Sequence, residues 1–452
     1  MSQNTAKLTQ GPIASTIVKM ALPMMAALAG MFVFNLTDTF FIGQLGKDQL
    51  AALTFTFPVI IFFVSLALGI GTGTSALVSR AIGEGNQQKV KRLTTDSLLL
   101  IFIISLIVVI IGLLTIDTLF SFLGATGQIL EYVKQYMQIW YVGIIFVMIP
   151  MVGNNAIRAT GDTKTPSKIM LVAVTANVIL DPLLIFGLGP FPALGIEGAA
   201  WATLISRAIT LVAALHILEH REKMISFQYP GLNAIKESFV QILKIGMPTA
   251  VTRILFPVGT GIITKMIASY GTAAVAAFGV ASRIEILAIS PLMALSSVIG
   301  PFIGQNAGAN LYKRIKTSVN GSNRFVFVYG LAAWGIISLL APKLIALFNQ
   351  ETDVISIGTH YLYIMPAAIA FIGLVTISTT TLNVLHRPIK SGLLSIIQMF
   401  VLYIPLSLLL TSFFDLTGIF IAYVISYSTI GIVSVIINSK EIKTQGYINE
   451  SK

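Results

Sequence analysis

The chain has 452 residues, of which 55% are hydrophobic and only 10% charged, with a mean hydropathy of +0.87. Soluble domains carry roughly a quarter charged residues, so a fully water-facing surface is excluded and lipid must be the solvent for most of the chain. No cysteine occurs, which excludes disulfides and thiolate metal sites; the 29 Lys and Arg set against 18 Asp and Glu leave a net charge of +11.

Apolar runs broken by Gly, Pro, Asn and charged residues predict twelve membrane-spanning helices. They fall near 15–43, 50–80, 93–117, 130–157, 167–188, 195–218, 239–267, 274–304, 318–342, 355–384, 390–413 and 417–439. Uncharged stretches such as Gln49 to Ser79 and Val354 to His386 exceed the ~20 residues that cross a bilayer core. The basic residues sit in alternate connections: Lys89, Lys91 and Arg92; Arg158, Lys164 and Lys168; Arg221, Lys223 and Lys236; Lys313, Arg314 and Lys316; Arg387 and Lys390; Lys440 and Lys443. The other connections hold only Lys47, Lys134 and Lys343. This asymmetry places both termini and the basic loops in the cytoplasm. It also accounts for the net charge as a topology signal, so no nucleic-acid partner is expected. All four histidines (His216, His220, His360 and His386) lie at predicted helix ends or in loops, so no histidine metal cluster is expected.

Moved along by 225 residues, the sequence partly matches itself. "KMALP" from Lys19 falls on "KIGMP" from Lys244, Gly46 on Gly271, Ser65 on Ser290, Gly83 on Gly308 and Tyr136 on Tyr361. Each unit holds six helices, an even number, so the two are parallel repeats related by an axis along the membrane normal. The expected organisation is an N-terminal lobe over 1–219, a polar cytoplasmic linker over 220–237 containing Pro230-Gly231, and a C-terminal lobe over 238–452. The fold class is thus an all-α polytopic membrane protein of two six-helix lobes with pseudo-two-fold symmetry.

Acids inside such helices are the informative residues. No charge occurs from Met20 to Thr37 or from Thr39 to Gly46, yet Asp38 lies between. An ionised carboxylate at mid-bilayer costs on the order of 3 kcal/mol, so it is paired, protonated or functional. The equivalent position in the second repeat is Ile263; the fold itself does not require an acid there. In the fifth helix, Asn177 and Asp181 are one turn apart on one face, and Pro182 frees a backbone carbonyl near Val178. Asp181 corresponds to Leu406, again with no acid. A permanently protonated Asp making a helix–helix hydrogen bond is the bland alternative for Asp38.

Several motifs now stand together: "LTDTFFIGQLG", "ALTFTFPV", "SRAIGEGN", "NNAIRATGDTKTP", "NVILDPLLIFG" and "GIEGAAWATLIS". With twelve helices and the duplication, the whole chain resembles the multidrug and toxic compound extrusion (MATE) transporters, and most of all the DinF-like branch, whose acids lie in the N-terminal lobe. The NorM-type branch carries acids in helices 7 and 10, and neither of those helices contains one here. The resemblance implies an antiporter that exports amphipathic, often cationic drugs and dyes in exchange for H+ or Na+ by alternating access of the two lobes. It implies a coupling cluster of Asp38, Asn177, Asp181 and Thr203, which would also hold Na+, and a substrate cavity with Met31, Phe34, Asn35, Tyr136, Asn154 and Asn155. No cofactor beyond the coupling ion is expected; the protein is expected to work as a monomer in the inner membrane.

Other features have structural readings beside functional ones. Arg207 lies one turn beyond Thr203 and either partners an acid or snorkels to the interface. Arg283 and Glu285 are read as pairing across helices. The glycine-rich "GIGTGTS" at Gly69 lacks the Lys of a phosphate-binding loop and reads as a close helix contact. A flippase for lipid-linked saccharides is the alternative within transport, but it would want several basic residues facing a pyrophosphate. An intramembrane enzyme would need a nucleophile and base or a metal set. With no Cys, no intramembrane His and no closely spaced acids, enzymatic function is not expected.

Overall fold

The computed structural model describes residues 6–450, and among them every regular element is helical. The spans are α1 (Ile13–Leu45), α2 (Lys47–Gly83), α3 (Gln87–Phe122), α4 (Gly127–Ala159), α5 (Lys164–Phe186) and α6 (Ile196–His216). They continue with α7 (Leu232–Ala268), α8 (Thr272–Gly308), α9 (Tyr312–Ala346) and α10 (Thr352–Val384). The last helical stretch, Pro388–Tyr447, is long enough for two spans. It breaks at Asp415, whose φ of 48° and ψ of −138° are not helical, giving α11 over 388–414 and α12 over 416–450. The twelve expected helices are therefore present.

The boundaries have local causes. Gly46 joins α1 to α2 at φ 140°, and its repeat equivalent Gly271 joins α7 to α8 at φ 101°. Positive φ favours glycine in both halves, at a joint of one residue in the first and at the last of three residues in the second. The Asn86 side chain caps α3 by accepting from the Lys89 amide at 2.9 Å. In α10, Pro366 has no N–H to donate, and a 3-10 turn (Met365–Ala368) interrupts the helix there. Two differences from the sequence reading stand out. Leu232 opens α7 inside the segment expected as a linker, and α12 runs well past 439 into polar sequence. Neither extension is apolar, so hydropathy does not mark it.

Contacts divide the chain into two compact units, one of Met1–Lys7 with Leu22–Ala250, the other of Leu8–Ala21 with Val251–Lys452. The first half of α7 thus packs with the first unit and the start of α1 with the second. Within the first unit, the glycine stretch of α2 explains the placement of α7. A Cβ on Gly69 would run into the Gly246 carbonyl and Ala250, and one on Gly73 into the Ile242 carbonyl, so these backbones touch, as "GIGTGTS" suggested. In this unit α4 packs against α2, α3 and α6. In the second, α10 packs against α8 and α9. Among the described residues, these two repeat-equivalent helices are the most buried spans, at 56% and 61% of their apolar windows.

Candidate functional site

The polar residues of the first unit converge from four helices. On α5, Asn177 and Asp181 are both fully buried, and Asn177 Nδ2 donates to Asp181 Oδ1 at 3.2 Å. On α1, Asp38 lies within electrostatic reach of Asp181. Tyr136 of α4, 4% exposed, feels Asp38, Asp181 and Arg207. From α6, Arg207 places its guanidinium 5.2 Å from the Phe34 ring centroid and interacts with Asp38 and Tyr136. Arg207 thus turns onto Phe34 with Asp38 in its electrostatic reach, and among the described residues no ion pair joins it to either acid.

Three oxygens in this cluster are buried with no hydrogen-bond donor: Asp38 Oδ1, Asn177 Oδ1 and Asp181 Oδ2. With both acids ionised, Asp38, Asp181 and Arg207 carry one surplus negative charge. A single proton or monovalent cation makes the set neutral, which is the favoured condition at low dielectric. Carboxylate and carboxamide oxygens are hard donors, suited to a proton or an alkali ion rather than to a soft metal. The donor set therefore fits Na+ chemically, and Asp38, Asn177 and Asp181 are the residues that would hold it.

The remaining expected residues divide. Thr203 is buried on α6, and its carbonyl accepts from Ser206 Oγ at 2.8 Å; among the described residues no hydrogen bond links it to either acid. Asn154 Oδ1 is buried without a partner. Asn155 is committed to structure: Nδ2 donates to the Met151 carbonyl, and Oδ1 accepts from Arg158 Nη2, both at 2.7 Å. Met31 and Phe34 are half-buried, while Asn35 is exposed and turns its amide onto the Met31 carbonyl at 3.0 Å. Thr37 and Thr39 bond back to their own helix in the same way, at 2.9 and 2.8 Å. Such bonds satisfy polar groups inside α1 and tend to bend it.

A second buried acid was not singled out for a site. Glu285 of α8 is 4% exposed; it accepts from Tyr361 Oη at 2.5 Å and from Tyr423 Oη at 3.2 Å. The ring of Tyr403 packs on Tyr423, and Tyr423 on Tyr427. Its partners are phenols, not the cation that a cross-helix pair suggests, and Arg283 is exposed. The signal was available: the repeat equivalent of Glu285 is Ile60, the same asymmetry that marks Asp38.

At the α4–α5 connection, the "NNAIRATGDTKTP" motif builds a polar latch. Asp162 accepts from the Thr165 amide at 3.0 Å and from its hydroxyl at 2.5 Å. It also pairs with Arg221, which donates to Thr165 Oγ1 at 2.7 Å. Burial opposes the charge on Asp162, but the bonds from Thr165 and the Arg221 guanidinium outweigh it and hold the carboxyl below its ordinary value.

Comparison with known proteins agrees with the fold and the duplication. The sequence model of the MatE family matches twice, over residues 23–183 and 248–409, which is the internal repeat in its expected register. The "FAD transporter" of Shewanella oneidensis is 36% identical over 425 residues, covering 94% of each chain. The "Multidrug export protein MepA" of Staphylococcus haemolyticus is 26% identical, over 91% of this chain and 90% of that one. Among solved structures, the bent form of the Vibrio cholerae MATE transporter VcmN superposes with a TM-score of 0.92 at 28% identity, covering 96% of this chain and 98% of that one. Twelve helices in duplicate and these matches lead to one conclusion: the chain belongs to the MatE family of multidrug and toxic compound extrusion transporters, and is a multi-pass membrane transporter rather than an enzyme.

Proposed function

We propose that the chain is a secondary-active antiporter that exports amphipathic, often cationic compounds across the plasma membrane in exchange for H+ or Na+. Both termini then lie in the cytoplasm, the two repeats are joined through the segment that precedes α7, and the monomer is the working unit. Asp38 and Asp181 are the coupling acids, with Asn177 and Thr203 beside them. The observation that carries the reading is the surplus negative charge of the Asp38–Asp181–Arg207 cluster, together with the three oxygens that no internal donor engages.

Asn177 already answers Asp181 Oδ1, so an incoming proton resides on Asp38 Oδ1 or Asp181 Oδ2. While the charge persists, the cluster favours water and attracts a lipophilic cation. Neutralisation removes both effects, and the first unit then prefers a drier, contracted arrangement that releases the cargo. The test is dye efflux from proteoliposomes under an imposed proton or sodium gradient. Wild type should respond, and Asp38→Asn should not; full gradient-driven export by folded Asp38→Asn would sink the proposal.

A second reading concerns the cargo. The 36% identical relative is named for FAD, and Arg207 gives the cluster a cationic group that an anionic phosphate-bearing cargo could use. Competition of FAD with an organic cation for uptake in the same liposomes separates the two: inhibition by FAD alone favours the nucleotide.

A further inference from the structure

The second unit holds a small cavity that the coupling cluster does not explain. It measures about 60 Å³ and lies where α9 meets α12, lined by Lys316, Asn320, Asn323, Asn438, Ser439 and aliphatic neighbours. On this measure one water needs about 10–15 Å³, so the cavity has room for a few waters or one small polar group. Asn438 is 1% exposed, yet neither end of its carboxamide has a hydrogen-bond partner. Asn323 Oδ1 beside it is also buried and unpartnered.

A buried carboxamide open at both ends is a costly choice where a leucine would serve. The first repeat makes the cheaper choice: Asn323 corresponds to Leu98, which lies in the apolar packing around Gly153 with Ala214 and Leu218. The helix ends around the cavity are basic, with Lys313 and Lys316 on α9 and Lys440 and Lys443 on α12. The nearby acid, Glu441, is already held by Arg387 and Lys390. Further along α12, Ile432 and Ile436 are each more than half exposed, apolar side chains of the kind acyl chains cover. Basic pockets between helices at the membrane boundary are where phospholipid headgroups bind.

We propose that this cavity binds the headgroup phosphate of an anionic phospholipid, with Lys316 and Asn438 as its principal contacts. The carboxamides of Asn438 and Asn323 donate N–H groups to phosphate oxygens, and their oxygens accept from headgroup hydroxyls. Lys316 supplies the charge.

The test uses the full chain purified in detergent, with bound lipid read by native mass spectrometry and stability by thermal unfolding. Phosphatidylglycerol should remain bound and raise the melting temperature, whereas phosphatidylcholine and inorganic phosphate should not. Asn438→Leu and Lys316→Gln should each weaken phosphatidylglycerol binding about tenfold, as expected for one lost hydrogen bond to a charged group. Lys316 is exposed, so its variant carries the test even where Asn438→Leu fails to fold. Equal binding by both variants overturns the proposal, as does equal protection by phosphatidylcholine. Protection by inorganic phosphate alone overturns the lipid assignment. A more stable Asn438→Leu with unchanged lipid retention makes the cavity a place for water only and also overturns it.

Discussion

Tyr361 donates to Glu285 at 2.5 Å inside the second unit, and its repeat equivalent Tyr136 lies within electrostatic reach of Asp38 and Asp181 inside the first. A buried tyrosine on the most buried helix of each half therefore lies near an acid, hydrogen-bonded to one from α8 in the second and in the field of acids from α1 and α5 in the first. The duplication kept the phenol and moved the carboxyl. Tyr361→Phe leaves a Glu285 oxygen without its donor and should cost about 1–3 kcal/mol of stability. A lowered melting temperature in detergent would show it; an unchanged one would remove any structural role for the bond.

Asp181→Asn keeps the size and polarity of the side chain but cannot take up a proton. It should fold normally and lose at least tenfold in gradient-driven efflux, while Asn177→Ala, which frees Asp181 Oδ1, should shift the pH dependence of transport instead. Transport rate against pH in liposomes distinguishes the two effects.

The two neighbouring asparagines of α4 should behave differently. Asn155 bridges Met151 and Arg158, so Asn155→Ala should cost about 1–3 kcal/mol and lower protein yield. Asn154 has an unpartnered oxygen; Asn154→Ala should leave the melting temperature unchanged. Parallel unfolding curves decide this, and equal destabilisation would contradict it.

Asp162 links pH to the α4–α5 latch. Its carboxyl is held below the ordinary value of 3.8, so the unfolded state binds the proton first. The latch's contribution is fully present above that ordinary value and is lost as pH falls through the lower, folded one. Unfolding followed from pH 5 downwards should show a loss in wild type that is absent in Asp162→Asn. Parallel acid profiles for the two would contradict the latch.

Close approach of backbones makes one glycine irreplaceable. Gly69→Val must push the Gly246 carbonyl and Ala250 aside, and overpacking of this kind costs about 1–3 kcal/mol. Gly43, which has nothing within reach of a Cβ, is the control: alanine there should be neutral apart from its gain in helix propensity. Thermal unfolding of the pair gives the comparison.

Hydropathy, basic-loop asymmetry and the 225-residue repeat determined the spans, their number and the duplication, because lipid forces each crossing segment to be a long apolar helix that satisfies its own backbone. The repeat also determined that Asp38 and Asp181 are extra to the fold, since Ile263 and Leu406 stand in their places. Only the tertiary structure decided which polar groups meet. Helix rotation and packing, which no linear pattern encodes, turned Arg207 onto Phe34 and toward Asp38, committed Asn155 to Arg158, and gave Glu285 phenols instead of a cation. The same holds for α7, whose first half packs with the first unit because small residues on α2 allow contact there.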